Sequence, residues 1–72
     1  MTYTVIFEKG PKSWGAYVPD LPGVVTVGDS RQEVESLIYK AVYLHLDALR
    51  EGGQAIPAPS SFAGNIEVSP AA

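Results

Sequence analysis

The 72-residue sequence has no cysteine and a single histidine, His45. Without thiols the chain forms no disulfide bond and no thiolate zinc site, and one imidazole is too few for a histidine-based metal centre. We therefore expect no metal ion and no cofactor. A chain of this length buries only about 60% of the surface that it exposes when unfolded. Association between copies is the remaining common way to bury more apolar surface.

Basic residues are also scarce. Five lysines and arginines, dispersed along the chain, stand against eight acidic residues, which gives a net charge of −3 and a pI of ≈ 4.8. Nucleic-acid-binding domains neutralise phosphates with a clustered basic surface. We therefore expect no direct binding of DNA or RNA, whereas an acidic surface suits a basic protein partner.

Long apolar runs are missing as well. No run approaches the roughly 18 residues that a membrane-spanning helix needs. The first residues lack the basic start and apolar run of a signal peptide. The expectation is a soluble, cytoplasmic protein that does not bind membranes.

Three short strands are predicted before a helix. The segments TYTVIFE (2–8) and SWGAYV (13–18) are rich in β-branched and aromatic residues and flank a Gly-Pro turn, which favours an antiparallel hairpin. Pro22 and Gly23 fit the central positions of a type II turn, with a positive φ at Gly23. The segment VVTV (24–27) is the third strand.

The clearest local signal is the start of the helix. Residues 30–33 read S-x-x-E, a capping box in which Ser30 caps the helix and Glu33 reaches back to the cap. The helix is predicted over about residues 31–51 and ends at Gly52-Gly53. At about 100° per residue, one face is expected to pack on the sheet. That face contains Val34, Leu37, Ile38, Ala41, His45, Ala48 and Leu49.

A second apolar stripe is formed by Tyr39, Tyr43 and Leu46, on roughly the opposite side of the helix. These residues could be isolated exposed side chains, or the returning C-terminal segment could cover them. The third interpretation is a subunit interface, where tyrosine is favoured. It predicts a homo-oligomer, either a dimer or a tetramer.

The C-terminal part of the chain is predicted to be extended. Prolines interrupt residues 54–61, and a last short strand is predicted between residues 62 and 69, with 65–69 favoured. The order β-β-β-α-β indicates an α+β fold, a small and mainly antiparallel sheet with one long helix on one face. Residues 1–69 are expected to form a single domain, and residues 70–72 a frayed tail.

Groups that could support catalysis are few. His45 is interpreted as a core-facing histidine, because helical periodicity places it within the apolar face of the helix. A hydrolytic triad would also need a nucleophile and an orienting group. Asp20 and Asp29, at loop ends, could in principle form a metal-dependent nuclease site. Each has a simpler structural role, Asp20 in its turn and Asp29 beside the positive end of the helix. The glycines do not form a phosphate-binding loop. We expect no enzymatic activity.

Taken together, several motifs resemble the HicB-like antitoxin family. The pattern is an aromatic-x-P-D-x-P-G turn (17–23), G-D-S (28–30) opening a helix with L-H-L (44–46), and I-P-x-P (56–59). The resemblance extends from about residue 3 to residue 59. Its motif residues are interpreted as scaffold rather than as catalytic groups. They are Asp20, Pro22, Gly23, Asp29, Ser30, Glu33 and His45.

The resemblance implies a reduced ribonuclease H-like fold without the catalytic carboxylates. It also implies binding and occlusion of a small basic RNA-cleaving toxin of the HicA type. Many members continue into a C-terminal DNA-binding domain, whereas this sequence is expected to be a stand-alone N-terminal HicB domain. The alternative is an orphan homo-oligomeric scaffold or ligand-binding domain that has no toxin partner.

Overall fold

The computed structural model describes residues 1–70 and has the α+β architecture expected from the sequence. A three-stranded antiparallel sheet in the order β1-β2-β3 is followed by one long helix. The elements are β1 (Ile6–Lys9), β2 (Trp14–Tyr17), β3 (Val25–Gly28) and α1 (Arg31–Glu51).

The register of the strands assigns each side chain to one of two faces. Phe7 lies opposite Ala16, which lies opposite Thr26, and this row faces the helix. Because side chains alternate along a strand, the next row points away from the helix. In that row Tyr17 lies between Ile6 and Val25. The helix packs across β2 and β3, which leaves β1 at the less covered side of the sheet.

The core is small and entirely apolar. Its buried members come from β2, from the loop before β3 and from one stripe of α1. They are Ala16, Val18, Leu21, Val24, Val34, Ile38 and Leu46. Because residues 1–70 contain only these seven buried side chains, each contributes a large share of the stability of a domain of this size.

The buried stripe of the helix differs from the predicted one. Leu46 is only 7% exposed and belongs to the core, whereas Leu37 is 38% exposed. Leu46 therefore belongs to the face that packs on the sheet, and not to the second stripe that the sequence predicts on roughly the opposite side of the helix. The buried stripe advances in steps of four residues from Val34 through Ile38 and the half-buried Val42 to Leu46. Tyr3 and Ile56, from outside the helix, pack against the same core.

The predicted turn before β3 is confirmed. The N–H of Val24 donates to the carbonyl of Leu21 at 3.1 Å, which closes a turn with Pro22 and Gly23 in the middle. Gly23 has a φ of 87°, the left-handed conformation that a type II turn requires at this position. This turn lets the chain reverse over a short distance and places Leu21 in the core.

Both ends of the helix form the expected local structures, with one difference. The Ser30 Oγ accepts from the N–H of Glu33 at 3.1 Å, as the capping box predicts. Glu33 reaches one residue further back than predicted, because its Oε1 accepts from the N–H of Asp29 at 3.0 Å. At the other end, Gly53 has a φ of 68°, which is the conformation of a Schellman cap.

The predicted last strand does not form. Within residues 1–70 no strand follows α1, and the segment from Gln54 onward is extended without a partner strand. Before the predicted strand, hydrogen bonds hold Ser60 and Ser61 to Asp20 and Thr4 at the end of the sheet, so the residues that follow do not run along β1. Of the predicted frayed tail, Ala71 and Ala72 lie outside the described residues.

Candidate functional site

An apolar groove runs between the N-terminal strand and the helix. We call it the tyrosine groove; Tyr3, Val5 and Phe7 form one wall, and Tyr39, Val42 and Tyr43 form the other. It exists because α1 packs over β2 and β3 and leaves the helix side of β1 only partly covered. An apolar groove beside an edge strand is suited to binding another polypeptide.

Two tyrosines dominate the helical wall of the groove. Tyr39 and Tyr43 lie one helical turn apart, and their ring centroids are 5.1 Å apart with an interplanar angle of 52°. They are 66% and 54% exposed. Hydrogen bonding to the Tyr43 hydroxyl, together with the charge of that phenol, raises the pKa of the Tyr39 hydroxyl. Paired exposed tyrosines of this kind are typical of protein interfaces.

The C-terminal segment is fastened to the sheet by the carboxylate of Asp20. This carboxylate accepts four hydrogen bonds of 2.7–3.0 Å, from the backbone N–H and the hydroxyl of both Ser60 and Ser61. These donors stabilise the charged form of the carboxyl group. Led by the N–H groups of Ser61 and Ser60, they hold the pKa of Asp20 well below its usual range.

Two further hydrogen bonds attach the same segment to the start of the chain. The Tyr3 hydroxyl donates to the carbonyl of Pro57, and the Thr4 Oγ1 donates to the carbonyl of Ser61 at 2.7 Å. Ile56 packs against the core immediately before them. Residues 56–61 are therefore tied across the end of the sheet where β1 begins and β2 ends.

The face of the sheet away from the helix forms a second exposed surface. We call it the open sheet face; it is formed by Ile6, Tyr17, Val25 and Val27. Val25 and Val27 lie on the edge strand β3 and are 63% and 70% exposed. Glu8 lies in the same row as Val27 and places a negative charge beside these apolar side chains. Apolar side chains with an acidic neighbour suit a basic protein partner.

Comparison with known proteins identifies the family. Residues 3–70 match the family model described as the HicB-like antitoxin of bacterial toxin-antitoxin systems. The chain belongs to the HicB-like antitoxin family. It is similar to Antitoxin HicB 2 of Photorhabdus laumondii subsp. laumondii, with 34% identity over 61 residues. No solved structure matches this chain.

The HicB-like chain and its curated relative differ in length. The match covers 85% of this chain but 44% of Antitoxin HicB 2, so the chain spans less than half of the length of that relative. Within the described part of this HicB-like chain, no helix is long and apolar enough to cross a membrane.

The structure gives the family motif a physical role. In the P-D-x-P-G turn of this HicB-like chain, Pro22 and Gly23 form the reversal, while Asp20 binds the serine pair that follows I-P-x-P. We had expected Asp20 to bond its own turn. The local sequence around Asp20 does not predict its serine partners, because they lie about 40 residues further along the chain. The available signal was the pair of serines directly after Pro59, because each serine offers both a backbone N–H and a hydroxyl as donors.

The candidate carboxylates of the HicB-like domain are not brought together. The register of β2 and β3 puts Asp20 near the Tyr17–Val25 end of the sheet and Asp29 just beyond the Trp14–Gly28 end. Among residues 1–70 there is no group of three or more histidine, cysteine or acidic residues that could hold a metal ion. His45 is half-buried on α1. The described polar groups organise the chain instead: the Asp20 carboxylate binds Ser60 and Ser61, and the backbone N–H of Asp29 binds Glu33.

Proposed function

We propose that this HicB-like chain is a non-enzymatic antitoxin that binds a small basic RNA-cleaving toxin of the HicA type. Binding occludes the catalytic and RNA-binding surface of the toxin. Family membership supports the antitoxin role. Because the toxin cleaves RNA, the complex forms in the cytoplasm.

The observation that carries this proposal is the open sheet face on an acidic chain. Val25 and Val27 expose most of their side chains on β3, and the chain has a net charge of −3. Apolar contacts supply affinity for the toxin, while the opposite charges accelerate encounter and favour a basic partner. We assign the toxin to the open sheet face, because the tyrosine groove then remains available for the self-association proposed below.

A ribonuclease inhibition assay tests the proposal. The chain is titrated into a HicA-type toxin from the same genome, and RNA cleavage is expected to stop near equimolar antitoxin. Raising the salt concentration should weaken inhibition, because salt screens the charge attraction. Val27→Lys is expected to weaken inhibition by about tenfold or more, since the new positive charge faces a basic toxin.

The matched control is Leu44→Lys. Leu44 is 71% exposed on the helix, away from the open sheet face, and the substitution changes the net charge by the same amount. It should leave inhibition close to that of the unchanged chain. Equal losses with both variants would show that net charge alone acts, and would remove the open sheet face from the proposal.

We also propose that the chain self-associates through the tyrosine groove, as a dimer or a dimer of dimers. The exposed Tyr39–Tyr43 pair supports this assignment. Replacing both tyrosines with glutamate should dissociate the oligomer, because the interface would then bury unpaired charges. Light scattering checks this, with Leu44→Glu as the control. An unchanged mass for the double variant would rule out the groove as the interface.

The second candidate function is an orphan homo-oligomeric scaffold or ligand-binding domain that has no toxin. The tyrosine groove favours it, because such a groove can serve self-association alone. It predicts a stable oligomer together with no inhibition of the toxin at any salt concentration. Residual nuclease activity is tested in the same assay without toxin. RNA cleavage that disappears in Asp20→Ala and Asp29→Ala would contradict the non-enzymatic role.

A further inference from the structure

The last described residues form an extended arm that has the composition of a strand. Phe62, Ile66 and Val68 are 89%, 89% and 75% exposed. In the segment NIEVS (65–69), apolar and polar residues alternate with the period of a β-strand. In a chain with a small core, apolar side chains that are this exposed indicate a surface that another protein molecule covers.

The sheet offers an unpaired edge beside the tyrosine groove. β1 pairs with β2 on one side, and among residues 1–70 no strand pairs with its other side. An edge strand presents N–H and C=O groups that readily accept a further strand. Phe7 on the helix side of β1, together with Val5 just before its first residue, lines the groove. A strand added here would direct every second side chain into that groove.

The arm does not occupy the edge of its own sheet. Hydrogen bonds hold Ser61 to Thr4 and Asp20, at the place where β1 begins, and the arm continues from there without a partner strand. The chain extends over 52 × 28 × 16 Å, so its long axis exceeds the roughly 32 Å that a 21-residue helix spans. The arm is therefore anchored at Ser61 and exposed beyond it, and the edge of β1 is exposed as well.

The surface area that a stable interface must bury favours a second copy of the chain as the molecule that covers the arm and the tyrosine groove. Tyr39 and Tyr43, at about 200 Å² each when fully buried, supply at most half of the roughly 800 Å² per partner of a stable interface. The three exposed apolar side chains of the arm supply the remainder. A two-fold axis also gives each copy one arm and one edge, so a reciprocal exchange leaves neither unpaired.

We propose that residues 65–69 of one copy add as a fourth strand to the β1 edge of a second copy. Ile66 and Val68 enter the tyrosine groove of that copy, and the exchange is reciprocal. This inference rests on the proposed self-association and specifies its structure. It places the strand predicted from the sequence in the partner's sheet instead of its own.

Isotope-filtered NMR on mixed copies tests the exchange directly. One half of the sample is labelled with ¹³C and ¹⁵N, and the other half is unlabelled. Contacts are expected between the Ile66 and Val68 methyl groups of one copy and Phe7 or Tyr39 of the other. Contacts found solely within one copy would overturn the proposal, and so would rapid amide exchange at residues 65–69 in an intact oligomer.

A pair of double variants gives an independent readout. Ile66→Ser with Val68→Ser removes the groove-facing side chains and is expected to reduce the mass in light scattering to that of a monomer. Asn65→Ser with Glu67→Ser alters the alternate positions and should leave the oligomer intact. An unchanged mass in the first variant would overturn the exchange. Circular dichroism verifies that both variants fold.

These measurements use the purified chain without toxin, so they are separate from the test of antitoxin function. Failure of the arm to exchange, with inhibition of the toxin intact, would reject the inference alone. An oligomer that depends on the arm but does not inhibit the toxin would reject the antitoxin function and leave the exchange in place. A chain that stays monomeric at millimolar concentration would reject the exchange.

Discussion

Replacing Leu46 with alanine is expected to lower the free energy of unfolding by about 2–5 kcal/mol, the usual cost of truncating a buried leucine. Leu46 is one of the seven buried side chains in the part of the chain that the structure describes. A loss of this size is comparable with the total stability of many small domains, which begins at about 5 kcal/mol. Urea denaturation followed by circular dichroism measures the change.

Leu44→Ala is the matched control for Leu46→Ala. Leu44 lies two residues earlier on the same helix and is 71% exposed, so its truncation should change the free energy of unfolding by about 0.5 kcal/mol or less. Similar losses for the two variants would contradict the placement of Leu46 in the core. Leu46→Glu is expected to unfold the chain, and it therefore cannot test an interface.

Replacing Asp20 with asparagine is expected to release the C-terminal segment from the sheet. An amide has one acceptor oxygen, and its nitrogen would meet the N–H groups of Ser60 and Ser61, which are also donors. Amide hydrogen exchange in residues 56–61 should accelerate by about tenfold or more, because these residues lose charge-assisted hydrogen bonds. Mass spectrometry of the exchanging chain measures this.

Asp29→Asn provides the control for Asp20→Asn. The two substitutions remove the same charge, and the Asp29 side chain has no hydrogen-bond partner among residues 1–70, since Glu33 binds its backbone N–H. Exchange in residues 56–61 should then stay at the rate of the unchanged chain. Equal acceleration in both variants would show that charge, not the hydrogen bonds to the serines, fixes the segment.

The stabilising effect of Asp20 should also depend on pH. Folding lowers the pKa of this carboxyl group from its usual value of 3.8. A lowered pKa gives stability that is fully present above that value and is lost as the pH falls below it. The difference in unfolding free energy between the unchanged chain and Asp20→Asn should therefore be largest near neutral pH and should shrink by pH 2.

Features coded by a few adjacent residues could be predicted from the sequence. The type II turn needs Pro22 and Gly23 in consecutive positions, and the helix cap needs Ser30 and Glu33 three residues apart. Each depends on local backbone geometry that these side chains favour wherever they occur. The three strands and the helix were confirmed for the same reason.

Features that depend on distant parts of the chain could not be predicted in this way. The periodicity of the helix leaves the centre of the buried face uncertain by about one side chain. The burial of Leu46 depends on the packing of parts of the chain outside the helix, where Tyr3 and Ile56 lie against the core. The partners of Asp20 come from the other end of the chain. The alternation in residues 65–69 predicts a strand but does not indicate which sheet accepts it.

The open sheet face illustrates a third case. In and just after β2, Ala16 and Val18 are buried on one face, while Tyr17 is exposed on the other. The helix covers one face of the sheet, but β3 turns Thr26 towards the helix and its valines away from it, so its alternation does not identify the covered face. The exposure of Val25 and Val27 is evident from the fold and not from the sequence, and the proposed toxin-binding surface depends on it.

Co-purification of the tagged chain from its native lysate tests the antitoxin function most directly. Mass spectrometry identifies what is recovered at low and at high salt. We predict a small basic protein that is retained at low salt, released at high salt, and cleaves RNA once it is separated from the chain. Recovery at both salt concentrations of copies of the chain alone would contradict the antitoxin function and favour the orphan scaffold.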